Sequence, residues 1–125
     1  MDLLEQTMKK IVRFRDARDW SQFYTPRNLA AALTTETAEL QETMLWKTDP
    51  EVVGLLKKSK SKAAIEAAIG DVLIFALLFC AATGIDPISA IHRKLRLNAA
   101  RYPVKLARGN AKKHTRLRKG ASNTQ

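Results

Sequence analysis

The sequence predicts an all-α protein built as a bundle of four helices. Apolar residues recur at helical spacing in four segments, which are residues 3–18, 26–47, 62–83 and 87–102. No segment shows the alternating pattern of a β-strand between turn signals, and no repeat of solenoid length is present. Four helices joined by one long connection are typical of a helical bundle.

The ends of these helices carry recognisable signals. Thr25 can cap the second helix, with Pro26 in its first turn, and Asp86 and Pro87 can do the same for the fourth helix. Gly84 suits the C-terminal end of the third helix, because glycine readily adopts the left-handed conformation found there. These signals fix where three of the four helices begin or end.

The long connection lies between the second and third helices. Thr48-Asp49-Pro50 is interpreted as a stop signal, residues 51–58 as one or two helical turns, and residues 57–62 as a polar linker rich in lysine. The third helix that follows is apolar almost all round, which predicts a central helix or one in a subunit interface. Its longest apolar stretch, residues 72–82, is predicted to be too short to cross a bilayer.

Length and composition indicate one domain in a reducing compartment. The chain has 125 residues and one cysteine, Cys80, so no disulfide can form within it. The acidic start, Met1-Asp-Leu-Leu-Glu5, does not resemble a signal peptide. We therefore expect a cytoplasmic protein with no membrane partner.

Charge is distributed unevenly along the chain. Of 22 lysine and arginine residues, 11 follow Asp86, and no aspartate or glutamate does. This pattern predicts a domain over residues 1–104 and a basic, disordered tail over residues 105–125. The basic segment is interpreted as a solvated helix face and a phosphate-binding helix end. Binding of nucleic acid through it is the alternative.

Acidic residues in two helices are the candidates for a metal site, with Glu36, Glu39 and Asp71 as the ligands. Glu36, Glu39 and Glu42 recur every three residues in the second helix and so lie on neighbouring parts of its surface. Such a triplet alone is more often a solvated face. Asp71, however, lies within the apolar third helix, where an ionised carboxylate is costly unless it is paired or bound to metal. Two acidic faces meeting in a bundle would suit Mg²⁺, which prefers carboxylate oxygens and often also holds substrate phosphates.

Two further groups of residues could contact a ligand. Lys94, Asn98 and either Arg101 or Tyr102 share one face of the fourth helix, and cationic and amide groups of this kind bind phosphate, although an ordinary surface stripe has the same pattern. Trp20 precedes the second helix and Trp46 ends it. Such rings can stack on a nucleobase or simply pack in a core.

These pieces occur in an order and spacing that resembles the MazG-like nucleotide pyrophosphohydrolases, closest to the dCTP pyrophosphatase branch. The similar segments cover about residues 8–106 and are Arg18-Asp-Trp-Ser-Gln-Phe23, Pro26-Arg-Asn-Leu29, Glu36-Thr-Ala-Glu39-Leu, Trp46-Lys47, Gly70-Asp-Val-Leu-Ile74 and Asn98-Ala-Ala-Arg-Tyr-Pro103. The resemblance implies hydrolysis of nucleoside triphosphates to the monophosphate and pyrophosphate. It also implies a helical bundle that assembles as a homodimer or homotetramer.

The resemblance also implies roles for individual residues. The family carries E-x-x-E on one helix and E-x-x-D on another, and Glu36, Glu39 and Asp71 match three of those metal positions, for Mg²⁺ or alternatively Mn²⁺. Glu42 is similar to a further acid that orients water or helps to hold a second ion. The phosphate side is matched by Lys94, Asn98, Arg101 and Tyr102, and the base side by Trp20 and Trp46.

Two positions depart from the family pattern. The glutamate of E-x-x-D should lie three residues before Asp71, but that residue is Ala68. Glu66 lies five residues before Asp71, about 140° away from it around the helix, and so cannot replace the missing glutamate. The chain is therefore either a member that has lost this ligand or an alanine-substituted form of an active enzyme. Ile11 stands where the dCTP-specific relatives carry a histidine that contacts the base.

Three functions follow from these features. The leading hypothesis is a pyrophosphohydrolase that cleans the nucleotide pool. The alternatives are a nucleotide-binding protein that has lost catalysis through Ala68, and a small basic protein that binds DNA or RNA.

Overall fold

The computed structural model describes residues 1–117, which contain helices and no β-strand. The helices that both begin and end within the described residues are α1 (Leu3–Ala17), α2 (Pro26–Glu42), α3 (Asp49–Lys57), α4 (Ser59–Thr83), α5 (Pro87–Arg101) and α6 (Val104–Ala107). They fall into two compact units, residues 1–85 and residues 86–125. The all-α class predicted from the sequence is confirmed.

In the first unit, α4 is the common partner of α1, α2 and α3, and its contact with α2 is the most extensive. Leu29 of α2 and Leu78 of α4 are almost completely buried, at 1% and 3% exposure. Many other large apolar side chains stay half-buried or exposed, including Leu73 and Ile74 of α4. The central position predicted for this helix is therefore correct, although one chain alone covers it only partly.

The starts predicted for the second and fourth helices, which are α2 and α5, are confirmed by their caps. The Thr25 hydroxyl accepts the Asn28 backbone N–H at 3.3 Å and begins α2. An Asp86 carboxylate oxygen accepts the Ser89 N–H at 2.8 Å and begins α5. Gly84 ends α4 with φ 71°, in the left-handed conformation that glycine adopts without strain.

The connection between α2 and α4 differs from the prediction. Helix α2 ends at Glu42, five residues early, because the Thr43 hydroxyl donates to the Leu40 carbonyl and the chain enters tight turns. Thr48 is a start signal as well as a stop: its hydroxyl and the Glu51 carboxylate form a reciprocal capping box for α3. The one or two helical turns predicted over residues 51–58 are present, but the helix of nine residues that contains them begins within the predicted stop signal.

The expected lysine linker is also helical. Helix α4 begins at Ser59, directly after Lys58, whose backbone is extended. The Ser61 hydroxyl donates to the Leu55 carbonyl at the end of α3, which fixes the junction of the two helices. Lysine has a high helix propensity, so a lysine-rich run continues a helix readily once it has begun.

The expectation that no apolar segment could span a membrane is wrong as regards length. Helix α4 has 25 residues and is long and apolar enough to cross a bilayer. Only 6% of its most apolar 18-residue stretch is buried by the rest of the chain. This is weak evidence for a membrane span, because core helices of other proteins pass the same test. Asp71, midway along α4, lies beside two glutamates of α2, an arrangement that hydrocarbon would disfavour.

The second unit contains α5, α6 and a helical turn at residues 114–117. The Tyr102 ring meets the His114 ring edge-on, with 5.7 Å between the centroids, and Leu117 is 6% exposed. The segment predicted to be a disordered tail thus contributes packed side chains as far as residue 117. The rest of that prediction concerns residues 118–125, which lie outside the described residues.

Candidate active site

Three carboxylates from α2 and α4 form a compact acidic cluster. Glu36, Glu39 and Asp71 each offer an oxygen, and these three oxygens lie within 4.8 Å of one another. The extensive contact between α2 and α4 brings them together, and the helical spacing of Glu36 and Glu39 places both on the face that meets α4. The acidic pair and the lone aspartate identified in the sequence therefore meet in space.

Glu36 is the least exposed member of this cluster. Its Oε2 atom is buried and has no hydrogen-bond partner among the described residues. Burial raises the pKa of the Glu36 carboxyl above its ordinary value, and the nearby carboxylates of Glu39 and Asp71 raise it further. A buried oxygen without a partner is costly, and a bound cation would relieve that cost and offset the repulsion between the carboxylates.

A cavity of about 400 Å³ lies next to the cluster in the first unit. Asp71 belongs to both, since it lines the cavity and contributes to the cluster. The other lining residues are mostly aromatic or aliphatic, with two cationic side chains: Lys10, Ile11, Phe14, Arg15, Trp20, Tyr24, Ile74, Phe75 and Leu78.

The aromatic rings of this cavity form a connected series. Ring centroids are 6.0 Å apart between Phe14 and Trp20, 6.0 Å between Trp20 and Tyr24, and 5.9 Å between Tyr24 and Phe75. Edge-on and tilted contacts at these distances are favourable. The series gives the cavity flat apolar walls of the kind on which a nucleobase can stack.

The predicted phosphate-side residues lie in the second unit. Lys94 and Asn98 are on one face of α5 and line a shallow groove with Ala90, Ile91 and Leu95. The Asn98 carbonyl accepts the Tyr102 backbone N–H at 2.8 Å, which ends α5. Arg101 and Tyr102 are half-buried. The shared face predicted for Lys94 and Asn98 is present.

Comparison with known proteins identifies the family. A model of the MazG-like family matches residues 32–117. This chain belongs to the MazG-like family. It is 39% identical to dCTP pyrophosphatase 1 of Rattus norvegicus over 117 residues, which is 94% of this chain and 69% of that protein. It is 38% identical to dCTP pyrophosphatase 1 of Homo sapiens over 118 residues, again 94% of this chain and 69% of the relative.

A solved structure agrees with this assignment. The chain is similar to a pyrophosphatase from Archaeoglobus fulgidus, with a TM-score of 0.76 and 36% sequence identity. The similarity covers 82% of this chain and 94% of that chain. The predicted recognition and the predicted enzyme class, a nucleotide pyrophosphohydrolase, are thereby confirmed.

Not every residue predicted for the site lies near the cluster. Glu42 is exposed at the C-terminal end of α2 and is not part of the cluster. Trp46 is 92% exposed, has φ 63° and does not line the aromatic cavity, whereas Trp20 does. Within one chain of this MazG-like protein, the aromatic wall therefore comes from Trp20 and not from Trp46.

Sequence reasoning missed most of the cavity wall. Helical spacing gives Phe14 and Phe75 no role in a site, and their place beside Asp71 follows only from the packing of α1 against α4. Ile11 lines the same cavity, so the departure noted at this position falls on the wall itself. Ala68 is half-buried one helical turn before Asp71 and supplies no ligand atom.

Proposed function

We propose that this chain hydrolyses nucleoside triphosphates, with dCTP-like substrates favoured, to the nucleoside monophosphate and pyrophosphate in a Mg²⁺-dependent reaction. The observation that carries the proposal is the double position of Asp71, which belongs to the acidic cluster and to the aromatic cavity. A nucleotide needs both kinds of site close together, because its phosphates bind metal while its base stacks. The relatives named dCTP pyrophosphatase 1 support the choice of substrate.

The residues present fit a divalent cation. The cluster offers only carboxylate oxygens, which suit Mg²⁺, and the buried Glu36 Oε2 is free to become a ligand. We assign Glu36, Glu39 and Asp71 as the ligands, with Mn²⁺ as an alternative to Mg²⁺. When bound, the ion would neutralise charge on the phosphates and lower the pKa of a nearby water.

The other residues bind the substrate or move a proton. Trp20 stacks on the base in the aromatic cavity. Glu42 lies outside the acidic cluster within one chain, and we assign it to orienting the attacking water or taking its proton, a role for a carboxylate that is not itself a metal ligand. Lys94 offsets charge on the leaving pyrophosphate, and Asn98, Arg101 and Tyr102 donate hydrogen bonds to phosphate oxygens. Trp46, which is 92% exposed in one chain, is assigned to the base side by the family resemblance.

We also propose that the protein is a homodimer or homotetramer in the cytoplasm. The support is the apolar surface that one chain leaves exposed, with Leu73 of α4 at 56% and Leu95 of α5 at 57% exposure. Exposed apolar surface of this kind, present on each unit, is often covered in protein interfaces. Light scattering coupled to gel filtration should give a mass of two or four chains, and a monomer at micromolar concentration would contradict the assembly.

The missing ligand at Ala68 bears on activity and not on membership of the family. Three carboxylates can still hold Mg²⁺, since this ion commonly keeps several waters and takes few protein ligands. We therefore expect weak turnover. A chain that binds nucleotide without cleaving it is the second outcome that Ala68 allows.

One assay tests the proposal. Pyrophosphate release should be measured from a panel of dNTPs and NTPs with Mg²⁺, for this chain and for Ala68→Glu. We expect dCTP to be cleaved by both proteins and faster by Ala68→Glu, with no release when EDTA replaces Mg²⁺. If neither protein releases pyrophosphate from any nucleotide, the enzyme proposal fails.

A further inference from the structure

The turn after α1 places Trp20 against the helix that precedes it. Asp19 adopts φ 54°, an uncommon conformation for a residue other than glycine. The Trp20 N–H donates to the Arg15 carbonyl at 3.1 Å and the Asp19 N–H to the Asp16 carbonyl at 3.0 Å, the two bonds of a Schellman motif. The chain thereby reverses, and the Trp20 ring meets the Phe14 ring at an interplanar angle of 70°.

Arg18 holds this pair of rings from its exposed position at the end of α1. Its Nη1 donates to the Phe14 carbonyl at 3.0 Å. Its guanidinium carbon lies 3.6 Å from the centroid of the Phe14 ring and 6.0 Å from that of the Trp20 ring. Both distances are within the range of cation–π attraction. Phe14 and Trp20 line the cavity, whereas Arg18 does not.

The neighbouring arginine is held differently. Arg15 lines the cavity and forms an ion pair with Asp16 at 2.8 Å. Among the described residues, Arg18 forms no ion pair, so its cation is directed to the aromatic rings. A planar guanidinium is well suited to this role because it stacks on a ring while still donating hydrogen bonds.

We propose that Arg18 is a positioning residue for base binding: it fixes Phe14 and Trp20 as a preformed wall of the aromatic cavity. The inference rests on the proposed function, since it assigns the base to that cavity. A wall already ordered before binding saves the entropy of ordering its side chains in the complex. Loss of the guanidinium should therefore weaken binding of the base and leave binding of the triphosphate group unchanged.

The test is a measurement of Kd by isothermal titration calorimetry, with the full chain and with variants at Arg18. The probes are the non-hydrolysable α,β-imido analogue of dCTP and 2-deoxyribose 5-triphosphate, which has no base, both with Mg²⁺. Arg18→Gln removes the charge and keeps a planar donor, and Arg18→Lys keeps the charge without the planar group. Arg13→Gln is the matched control, being an exposed arginine of α1 that does not line the aromatic cavity.

We expect Arg18→Gln to raise the Kd of the dCTP analogue about 2–5-fold, the loss that corresponds to an exposed cation–π contact. Arg18→Lys should lose less, about twofold by the same measure, and Arg13→Gln nothing. The Kd of the triphosphate without a base should not change in any variant. Circular dichroism checks that each variant folds. If Arg18→Gln does not fold, the Kd of Arg18→Lys for the dCTP analogue tests the positioning role.

Three results would overturn the proposal. Parent-like binding of the dCTP analogue by both Arg18 variants would show that the guanidinium has no effect on the wall. An equal loss for the two probes would show a general structural role. A parent protein that binds neither probe would contradict the proposed function itself, and the positioning role with it.

Discussion

Glu36 of α2 and Asp71 of α4 hold carboxylate oxygens within 4.8 Å of each other, although they lie on different helices. The Glu36 Oε2 atom of this pair is buried and has no hydrogen-bond partner within residues 1–117. Like charges at this distance repel, so the arrangement opposes folding unless a proton or a cation is bound. Because of this proximity, the thermal stability of the protein should depend on whether a cation is bound at the site.

Glu36→Gln should stabilise the metal-free protein and abolish its activity. The pKa of Glu36 is raised by burial first and by Glu39 and Asp71 next. A carboxyl whose pKa is raised in the folded state destabilises the fold at pH values above its ordinary pKa. The amide removes that repulsion, so the Tm in EDTA should rise. The rise should be about 4 °C for each kcal/mol by which the free energy of unfolding increases.

The same variant should lose its response to metal. Addition of Mg²⁺ should raise the Tm of the parent but not that of Glu36→Gln, because binding to the folded state alone stabilises it. Differential scanning fluorimetry with and without Mg²⁺ measures both effects. A Glu36→Gln protein that hydrolyses nucleotide at the parent rate would remove Glu36 from the metal site.

Ala68→Glu should tighten the metal site. Residue 68 is half-buried one helical turn before Asp71, so a glutamate there lies on the same face of α4. A fourth carboxylate should lower the Mg²⁺ concentration needed for half-maximal activity about tenfold, within the 10–100-fold effects typical of groups that support a metal site. A Mg²⁺ titration of pyrophosphate release gives this value.

Ala67→Glu is the control for that change. Residue 67 is exposed and is rotated about 100° from residue 68 around α4, so it adds the same charge away from the cluster. Equal gains in the two variants would indicate a general effect of negative charge and not a fourth ligand.

Ile11→His should change the choice of base. Ile11 lines the aromatic cavity, where an imidazole would add a hydrogen-bonding group to a largely apolar wall. A site that hydrogen-bonds its base discriminates better than an apolar one. We expect the ratio of kcat/KM for dCTP over dTTP to rise about 3–10-fold, which corresponds to roughly 1 kcal/mol. Ile11→Val keeps the wall apolar and should leave the ratio as it is.

Salt dependence should separate nucleotide hydrolysis from binding of nucleic acid. Eight exposed lysines and arginines lie between residues 93 and 116, and this is the observation that favours nucleic acid as a second candidate ligand. Binding of DNA or RNA through them would weaken steeply as salt rises from about 50 to about 200 mM. We expect a duplex or single-stranded oligonucleotide to bind weakly and hydrolysis of dCTP to persist over that range.

The structure changes how the basic segment should be altered in this test. Removal of residues 105–125 would also remove His114, which contacts Tyr102, and the buried Leu117. Exchange of exposed Lys112 and Lys113 for glutamine lowers the charge and keeps these contacts. The nucleic-acid function would be favoured by two results together: the parent binds an oligonucleotide tightly and the exchange abolishes this binding, and the parent does not hydrolyse dCTP.

The start of α5 should weaken in acid. The pKa of Asp86 is lowered by the hydrogen bond from the Ser89 backbone N–H, and further by the Ser89 side chain. A carboxyl with a lowered pKa stabilises the fold above its ordinary pKa, and this stabilisation is lost as pH falls through the lower folded value. Asp86→Asn keeps a cap that does not titrate.

The difference in Tm between the parent and Asp86→Asn measures this effect. The parent should be the more stable protein at about pH 6, and the difference should shrink toward about pH 3 as Asp86 takes up a proton. A difference that stays constant over this range would show that the charge of Asp86 does not stabilise the cap.

The sequence by itself determined the helical class, the starts of α2 and α5, and the three acidic residues of the cluster. Thr25 and Asp86 act through hydrogen bonds to residues three positions away, so their effect can be read locally. The spacing of Glu36 and Glu39 likewise fixes their common face. Helix ends were less predictable, since α2 stops at Glu42 where the Thr43 hydroxyl competes for a backbone carbonyl.

Only the tertiary structure decided which residues surround Asp71. Helical spacing states which side chains share a face, but not which other helix that face meets. The packing of α2 and α1 on α4 brings Glu36 and the ring of Phe14 to the same aspartate, and it leaves Glu42 and Trp46 away from it. The physical reason is that contacts between distant segments depend on how apolar surfaces pack in three dimensions, which no local pattern specifies.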